Sequence, residues 1–235
     1  MAAPSGAVLG AAALLERSIT YMLGNLVLVT PAMLDRPTPC ATWDVRTLLE
    51  HIEDGLTALV EAVSVGRIET AAPVALVAVR RADTEVDHDG VGTIEVGLHQ
   101  EPDPIEGVRA AARTVIEGWS TPVIAGSIDI DGLPLSSALV AAAGGIEIAA
   151  HGWDIARAAG WRRPVPTSLA DEMLDLLPLL LTDATRGYRY GNAVPVPPFT
   201  CAGDRLIALL GRRPPDPVER RYLQSRAALL LTASS

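Results

Sequence analysis

The stretch "GIEIAAHGWDIARAAGW", Gly145 to Trp161, decides the fold, because its apolar residues recur at helical spacing densely enough to be buried on several sides. Yet it carries Glu147, His151 and Asp154. Glu147 and His151 are four apart and stack on one helix face, and Asp154, three residues further on, borders the same stripe. A carboxylate and an imidazole so spaced can aim lone pairs at one point between the turns, as ligands of a divalent metal do. On an exposed helix the same pair would be a simple contact worth about 0.2–0.5 kcal/mol. A third ligand has to come from another segment.

Outward from this stretch, Ser136 caps the start of the helix and Gly160 stops it. The preceding "VIAGSIDIDGLPL" alternates like a short strand or hairpin, and Pro104 to Trp119 reads as another helix. Near the N-terminus, Leu14, Leu15, Ile19, Met22, Leu26 and Val29 mark one apolar face of a helix over residues 7–29, closed by Pro31. A proline-rich link leads to "PTPCATWDVRTLLEHI". Here Thr42 is the expected N-cap, Asp44 falls in the first turn, and Val45, Leu48, Leu49, Ile52, Leu56, Leu59 and Val63 repeat at helical spacing. His51 sits mid-helix, which makes it the candidate third ligand.

Gly55, one turn beyond His51, and "AAAGG" at Ala141 to Gly145 are small enough to leave room for a ligand; the plainer role is to let helices approach. Cys40 precedes His51 by eleven residues, about 16 Å along a helix axis, so direct ligation of a metal together with His51 is not expected. Residues 70–104 are acidic and glycine-punctuated and read as a mobile connection containing "VALVAV", either strand or helix. His88, His99, Arg80 and Arg81 fall there, as surface residues rather than ligands. Beyond Trp161 the pattern predicts a helix from Leu169 to Tyr188 interrupted at Pro178, then short helices over Asp204 to Leu210 and Val218 to Leu231. Residues 1–163 thus form a bundle and 164–235 a helical extension.

Composition narrows the chemistry. At 49% hydrophobic but 4% aromatic, the 235-residue chain must fill its core with aliphatic side chains, which suits a mainly α fold. A formal charge of -9 argues against a nucleic-acid partner. The six arginines from Arg205 to Arg226 read as a solvated face interspersed with Asp204, Asp216 and Glu219. Every cationic side chain is arginine, so lysine Schiff-base chemistry and a phosphate-loop lysine are both excluded. Cys40 and Cys201 make no C-x-x-C pair, and no charged segment precedes the first apolar stretch as in a secretory signal, so reduced thiols in the cytoplasm are expected. No apolar run is long enough for a membrane span. An exposed apolar helix face would permit a homodimer.

Taken together, "PTPCATWDVRTLLEHI", "EIAAHGWDIARAAGW" and the closing "DRLIALLGRRP" resemble the signature segments of the mycothiol-dependent maleylpyruvate isomerase and DinB-like superfamily. The resemblance implies an up-and-down four-helix bundle that holds a metal through His51, Glu147 and His151; the short β-hairpin read from the alternating pattern then lies beside it. Asp154 then orients a ligand imidazole through its other nitrogen. Three protein ligands would leave a coordination position open; zinc is the usual choice, and nickel, iron or cobalt suit the same donors.

The resemblance further implies mycothiol or another small thiol as cosubstrate, acting on a small electrophile by transfer or by cis-trans isomerisation. Two other functions stay open. One is metal-dependent hydrolysis, and the other is a non-catalytic ligand-binding bundle recruited to natural-product biosynthesis.

Overall fold

The computed structural model describes residues 6–40, 42–68, 103–120, 126–181, 186 and 190–215. Among these residues the protein is mainly helical. In chain order, α1 spans Gly6–Leu26, α2 Val45–Ser64, α3 Pro104–Trp119, α4 Ser137–Ala158, α5 Thr167–Leu180 and α6 Ala202–Leu209. A small sheet contains β1 Arg67–Ile68, β2 Ser127–Ile130 and β3 Leu133–Ser136. The expected connection over 70–104 with its histidines and arginines, the continuation toward Tyr188 and the helix over Val218 to Leu231 lie largely or wholly outside the described residues.

Helix α1 packs along α4 and α2 along α3, while further contacts of α2 with α4 and of α1 with α3 close a four-helix bundle. All six apolar positions read from the α1 segment are buried, Val29 included. The helix itself ends three residues before Val29, because Leu28 and Val29 donate to Asn25 and Leu26 in tightened i to i−3 bonds ahead of Pro31. In α2 the cap is Asp44 rather than Thr42: its carboxylate accepts from the Thr47 amide at 2.8 Å. α3 starts at Pro104 as the sequence predicts, with Asp103 as its cap, and Trp119 at its end donates from Nε1 to the Leu59 carbonyl at 3.1 Å, tying α3 to α2.

The hairpin is real and tighter than the alternation alone specifies. Asp131 and Gly132, both at positive φ, form the two-residue turn between β2 and β3, and the Gly132 amide donates to the Asp129 side chain. β1 adds a third strand, parallel to β2 with Arg67 opposite Asp129, which two residues are too few to announce by periodicity.

Helix α4 is apolar all round because it is covered on two sides. One core joins α1, α2, α3 and the inner face of α4; a second joins Leu14, Ile146, Ala149, Ala150 and Trp153 to Val165, Leu169, Met173, Leu206 and Ile207. Helices α5 and α6 therefore lie against α4 and do not stand apart from it. α5 stops two residues after Pro178, where Leu181 turns extended.

Of the arginines expected on a solvated face, Arg205 and Arg213 are exposed, whereas Arg212 departs from that expectation. Arg212 keeps only 9% of its side chain exposed against a fully buried Asp154, and Asp204 is also buried, with Arg162 Nη2 at 3.5 Å. No helix among the described residues is long and apolar enough to cross a membrane.

The small residues of α4 serve packing. A β-carbon on Gly145 would meet Leu14 Cδ2 at 2.6 Å, and one on Gly144 would meet Leu59 at 2.9 Å, so this glycine pair is filled by neighbouring helices and leaves no room for a ligand. Gly55 differs: nothing stands within 4 Å of the same position there.

Candidate metal centre

Helix α4 presents Glu147, His151 and Asp154 along one side, as the spacing requires. His151 is buried, and its two ring nitrogens face different partners. Nε2 lies 3.6 Å from Glu147 Oε2, and Nδ1 lies 3.1 Å from Asp154 Oδ2. Glu147 remains partly exposed and accepts a hydrogen bond from the Tyr190 hydroxyl to Oε1 at 2.5 Å.

His51 comes to the same place from α2. Its ring centroid is 5.0 Å from that of His151, with the two planes almost perpendicular. The Trp43 ring stands 4.6 Å from the His51 centroid and 6.1 Å from that of His151, forming a wall beside both imidazoles. His51 keeps an exposed edge, but enough protein surrounds its ring that burial, aided by repulsion from His151, lowers its pKa below the usual value. It is therefore neutral at pH 7, as a ligand imidazole must be.

Behind His151 is a second polar group that the sequence did not reveal. Arg212 Nη2 donates to Asp154 Oδ2 at 2.9 Å, with Nε 3.3 Å from each oxygen of the same carboxylate. Burial alone would raise the Asp154 pKa, but the His151 hydrogen bond and the Arg212 charge outweigh it and hold the group below its ordinary range. Asp154 is thus an anion between an imidazole and a guanidinium. Cys40 Sγ completes the group, 3.3 Å from Asp154 Oδ2 and 4.0 Å from His151 Nδ1.

The proximity of Cys40 corrects the distance inferred from helical rise, because residue 40 is not on the helix of His51. α2 begins only at Val45, and the chain before it turns back on itself: the Trp43 amide donates to the Cys40 carbonyl, and Pro37 bridges to Asp44. Burial and the adjacent Asp154 push the Cys40 thiol pKa up to about 12, so the thiol is protonated. Cys40 and Cys201 are both free.

Cys40, His151 and Asp154 offer ligand atoms that all lie within 4.8 Å of one another and make one possible metal cluster on the Nδ1 side. Glu147 faces Nε2 and the His51 ring lies 5.0 Å from that of His151 between centroids, but among the described residues these three do not make a second cluster within that distance. Trp153 belongs to neither side; it is buried in the second core, with Arg157 over its ring at 5.9 Å.

Neither Tyr190 nor Arg212 was legible as a site residue, since each lies more than forty positions from its partner on α4. Trp43 and Cys40 stand inside the quoted N-terminal segment, but only the turn before α2 brings them to His151. Asp154 was legible from spacing alone.

A family model described as the mycothiol maleylpyruvate isomerase N-terminal domain matches residues 15–156, a span that contains the C-terminal half of α1, all of α2 and α3 and most of α4, along with His51, Glu147, His151 and Asp154. No curated protein and no solved structure matches the chain. Because the match takes in more than half of the sequence, the chain belongs to the mycothiol maleylpyruvate isomerase N-terminal domain family.

Proposed function

We propose that this protein binds one divalent metal ion through His51, Glu147 and His151, and uses it with mycothiol or another small thiol to transfer to, or isomerise, a small electrophile. The observation that carries the proposal is the orientation of His151. Its Nδ1 edge is engaged by Asp154, leaving Nε2 beside the Glu147 carboxylate, with the His51 ring centroid 5.0 Å from that of His151. Two imidazole nitrogens and one carboxylate oxygen are a borderline donor set that fits zinc, and equally nickel, iron or cobalt.

Once bound, such an ion supplies Lewis acidity that favours the anionic form of a thiol beside it. The remaining work falls to the chain. Asp154 holds the proton on Nδ1 and fixes the His151 ring, as buried outer carboxylates do for ligand histidines. Tyr190 fixes Glu147 from the opposite side. Trp43 shields the imidazoles, and the open edge of His51 beside the uncrowded Gly55 gives a small molecule its approach. A reducing cytoplasm would keep both Cys40 and the cosubstrate as thiols.

The test is elemental analysis of purified protein and of His151→Ala, followed by turnover of a panel of activated alkenes and epoxides with and without mycothiol. Stoichiometric metal in the wild type, its loss in the variant and thiol-dependent turnover are expected. Full metal content in His151→Ala overturns the ligand set. Equal rates without thiol overturn the cosubstrate and favour hydrolysis by the metal alone.

A further inference from the structure

Potential ligands stand on both nitrogens of the His151 ring: Cys40 and Asp154 on Nδ1, and Glu147 on Nε2, with the His51 ring centroid 5.0 Å from that of His151. The Nδ1 side has the stronger donors for a thiophilic ion, because Cys40 and Asp154 stand with the imidazole nitrogen inside 4.8 Å. What distinguishes the two sides is Arg212. Its Nη2 donates to Asp154 Oδ2 at 2.9 Å and lies 3.5 Å from Cys40 Sγ, while Nη1 is tied to the Leu210 carbonyl at 3.1 Å. The guanidinium is charged, almost wholly buried, and already fills the place where a cation would meet these groups.

We propose that Arg212 is a resident cation that denies the Cys40 and Asp154 side to metal and so assigns the ion to the Nε2 side of His151. The inference rests on the metal-binding function proposed above and adds to it the device that chooses between two sites. An imidazole ligates only through a nitrogen with a free lone pair, and Nδ1 is already engaged by the Arg212-held Asp154 carboxylate at 3.1 Å. Arg212 lies beyond residues 15–156, so the segment outside the family domain sets where the ion sits. Without Arg212, the buried Asp154 anion would be uncompensated and would attract a metal in its place. Cys40 would then lose its Sγ–H proton to solvent and form a sulfur–metal bond, with no change of oxidation state.

The experiment loads metal-free protein with cobalt(II) and records the near-ultraviolet thiolate-to-cobalt charge-transfer band, which reports sulfur ligation independently of turnover. Wild type should bind cobalt without this band, Arg212→Lys should behave likewise, and Arg212→Met should gain the band and lose it again when Cys40→Ser is added. A wild-type band abolished by Cys40→Ser overturns the proposal, since the ion would then occupy the thiol side. An Arg212→Met protein that binds cobalt with the wild-type spectrum also overturns it. Wild type that binds no cobalt fails the underlying metal assignment itself, and is recognised by the absence of any cobalt spectrum. Should circular dichroism show Arg212→Met unfolded, Arg212→Gln is read by the same band.

Discussion

The Tyr190 hydroxyl donates to Glu147 Oε1 at 2.5 Å, while Oε2 of the same carboxylate faces His151 Nε2 at 3.6 Å. One oxygen is anchored and the other is presented. Tyr190→Phe keeps the ring and removes only the anchor, so Glu147 regains rotamer freedom that metal binding must then freeze. Loss of such an outer contact costs about 10–100-fold in metal affinity, and the lower end is expected here because Glu147 is partly exposed. Competition against a chromogenic chelator measures the change; wild-type affinity in the variant would show that Glu147 needs no anchor.

The two histidines should separate metal binding from folding. His51 has an exposed edge and ring contacts with Trp43 and His151, so His51→Ala should lower the stability of the metal-free protein by under about 1 kcal/mol while metal is lost. His151 is buried and hydrogen-bonded to Asp154, so His151→Ala should remove the metal and also cost about 2–4 kcal/mol through a cavity and a weakened polar group. Urea unfolding of both metal-free variants checks the contrast. Equal losses would mean that His51 is as structural as His151.

The bundle was legible because its evidence is local. Apolar spacing in α1 and α2, Pro104, Ser136 and Gly160 each act over one or two turns, and a helix needs no knowledge of its neighbour to be read. The same holds for Glu147, His151 and Asp154, which share one helix. His51 was only a candidate from its mid-helix place, and the family resemblance strengthened its assignment, since spacing within a helix says nothing of what packs across from it. Arg212 was misread because composition places arginine on the surface by default, and only the fold shows that Asp154 is buried opposite it. Cys40 was misjudged by extending the geometry of α2 past its cap.

Gly152 and Gly55 predict opposite responses to the same substitution. A β-carbon at Gly152 would stand 3.0 Å from the Met22 Cα, which is backbone and cannot swing aside. Separation of α1 from α4 should cost about 1–3 kcal/mol, more than the roughly 1 kcal/mol that alanine recovers in helix propensity, and it also strains the Asn25 hydrogen bond to the Gly152 carbonyl. Gly55 faces open space, and Gly55→Ala should stabilise the protein by about 0.4–1 kcal/mol. Thermal melts of the two variants measure this. If Gly55→Ala also weakens binding of the thiol without lowering metal content, the space beside His51 is the approach to the site.

The cap of α2 bears on acid stability, and on the site, because Asp44 fixes where the helix carrying His51 begins. Its carboxylate accepts from the Thr47 amide, and these backbone hydrogen bonds hold its pKa below the ordinary 3.8 despite some opposing desolvation. A carboxyl that is more acidic folded than unfolded stabilises the fold fully above the unfolded pKa. As pH falls below 3.8 the unfolded chain takes up the proton first, so the contribution shrinks and is gone once pH passes the folded value. Asp44→Ala should therefore cost about 1 kcal/mol at pH 7, with the difference from wild type narrowing below about pH 4. Asp44→Asn retains a capping oxygen and should be within a few tenths of wild type at pH 7. Asp154 has a depressed pKa as well and contributes its own acid loss, but it is unchanged in both variants and cancels from the comparison. Urea midpoints of the three proteins across this range decide the matter: a wild-type advantage over Asp44→Ala that stayed constant from neutral pH to well below pH 4 would mean that the carboxylate charge contributes nothing to the cap.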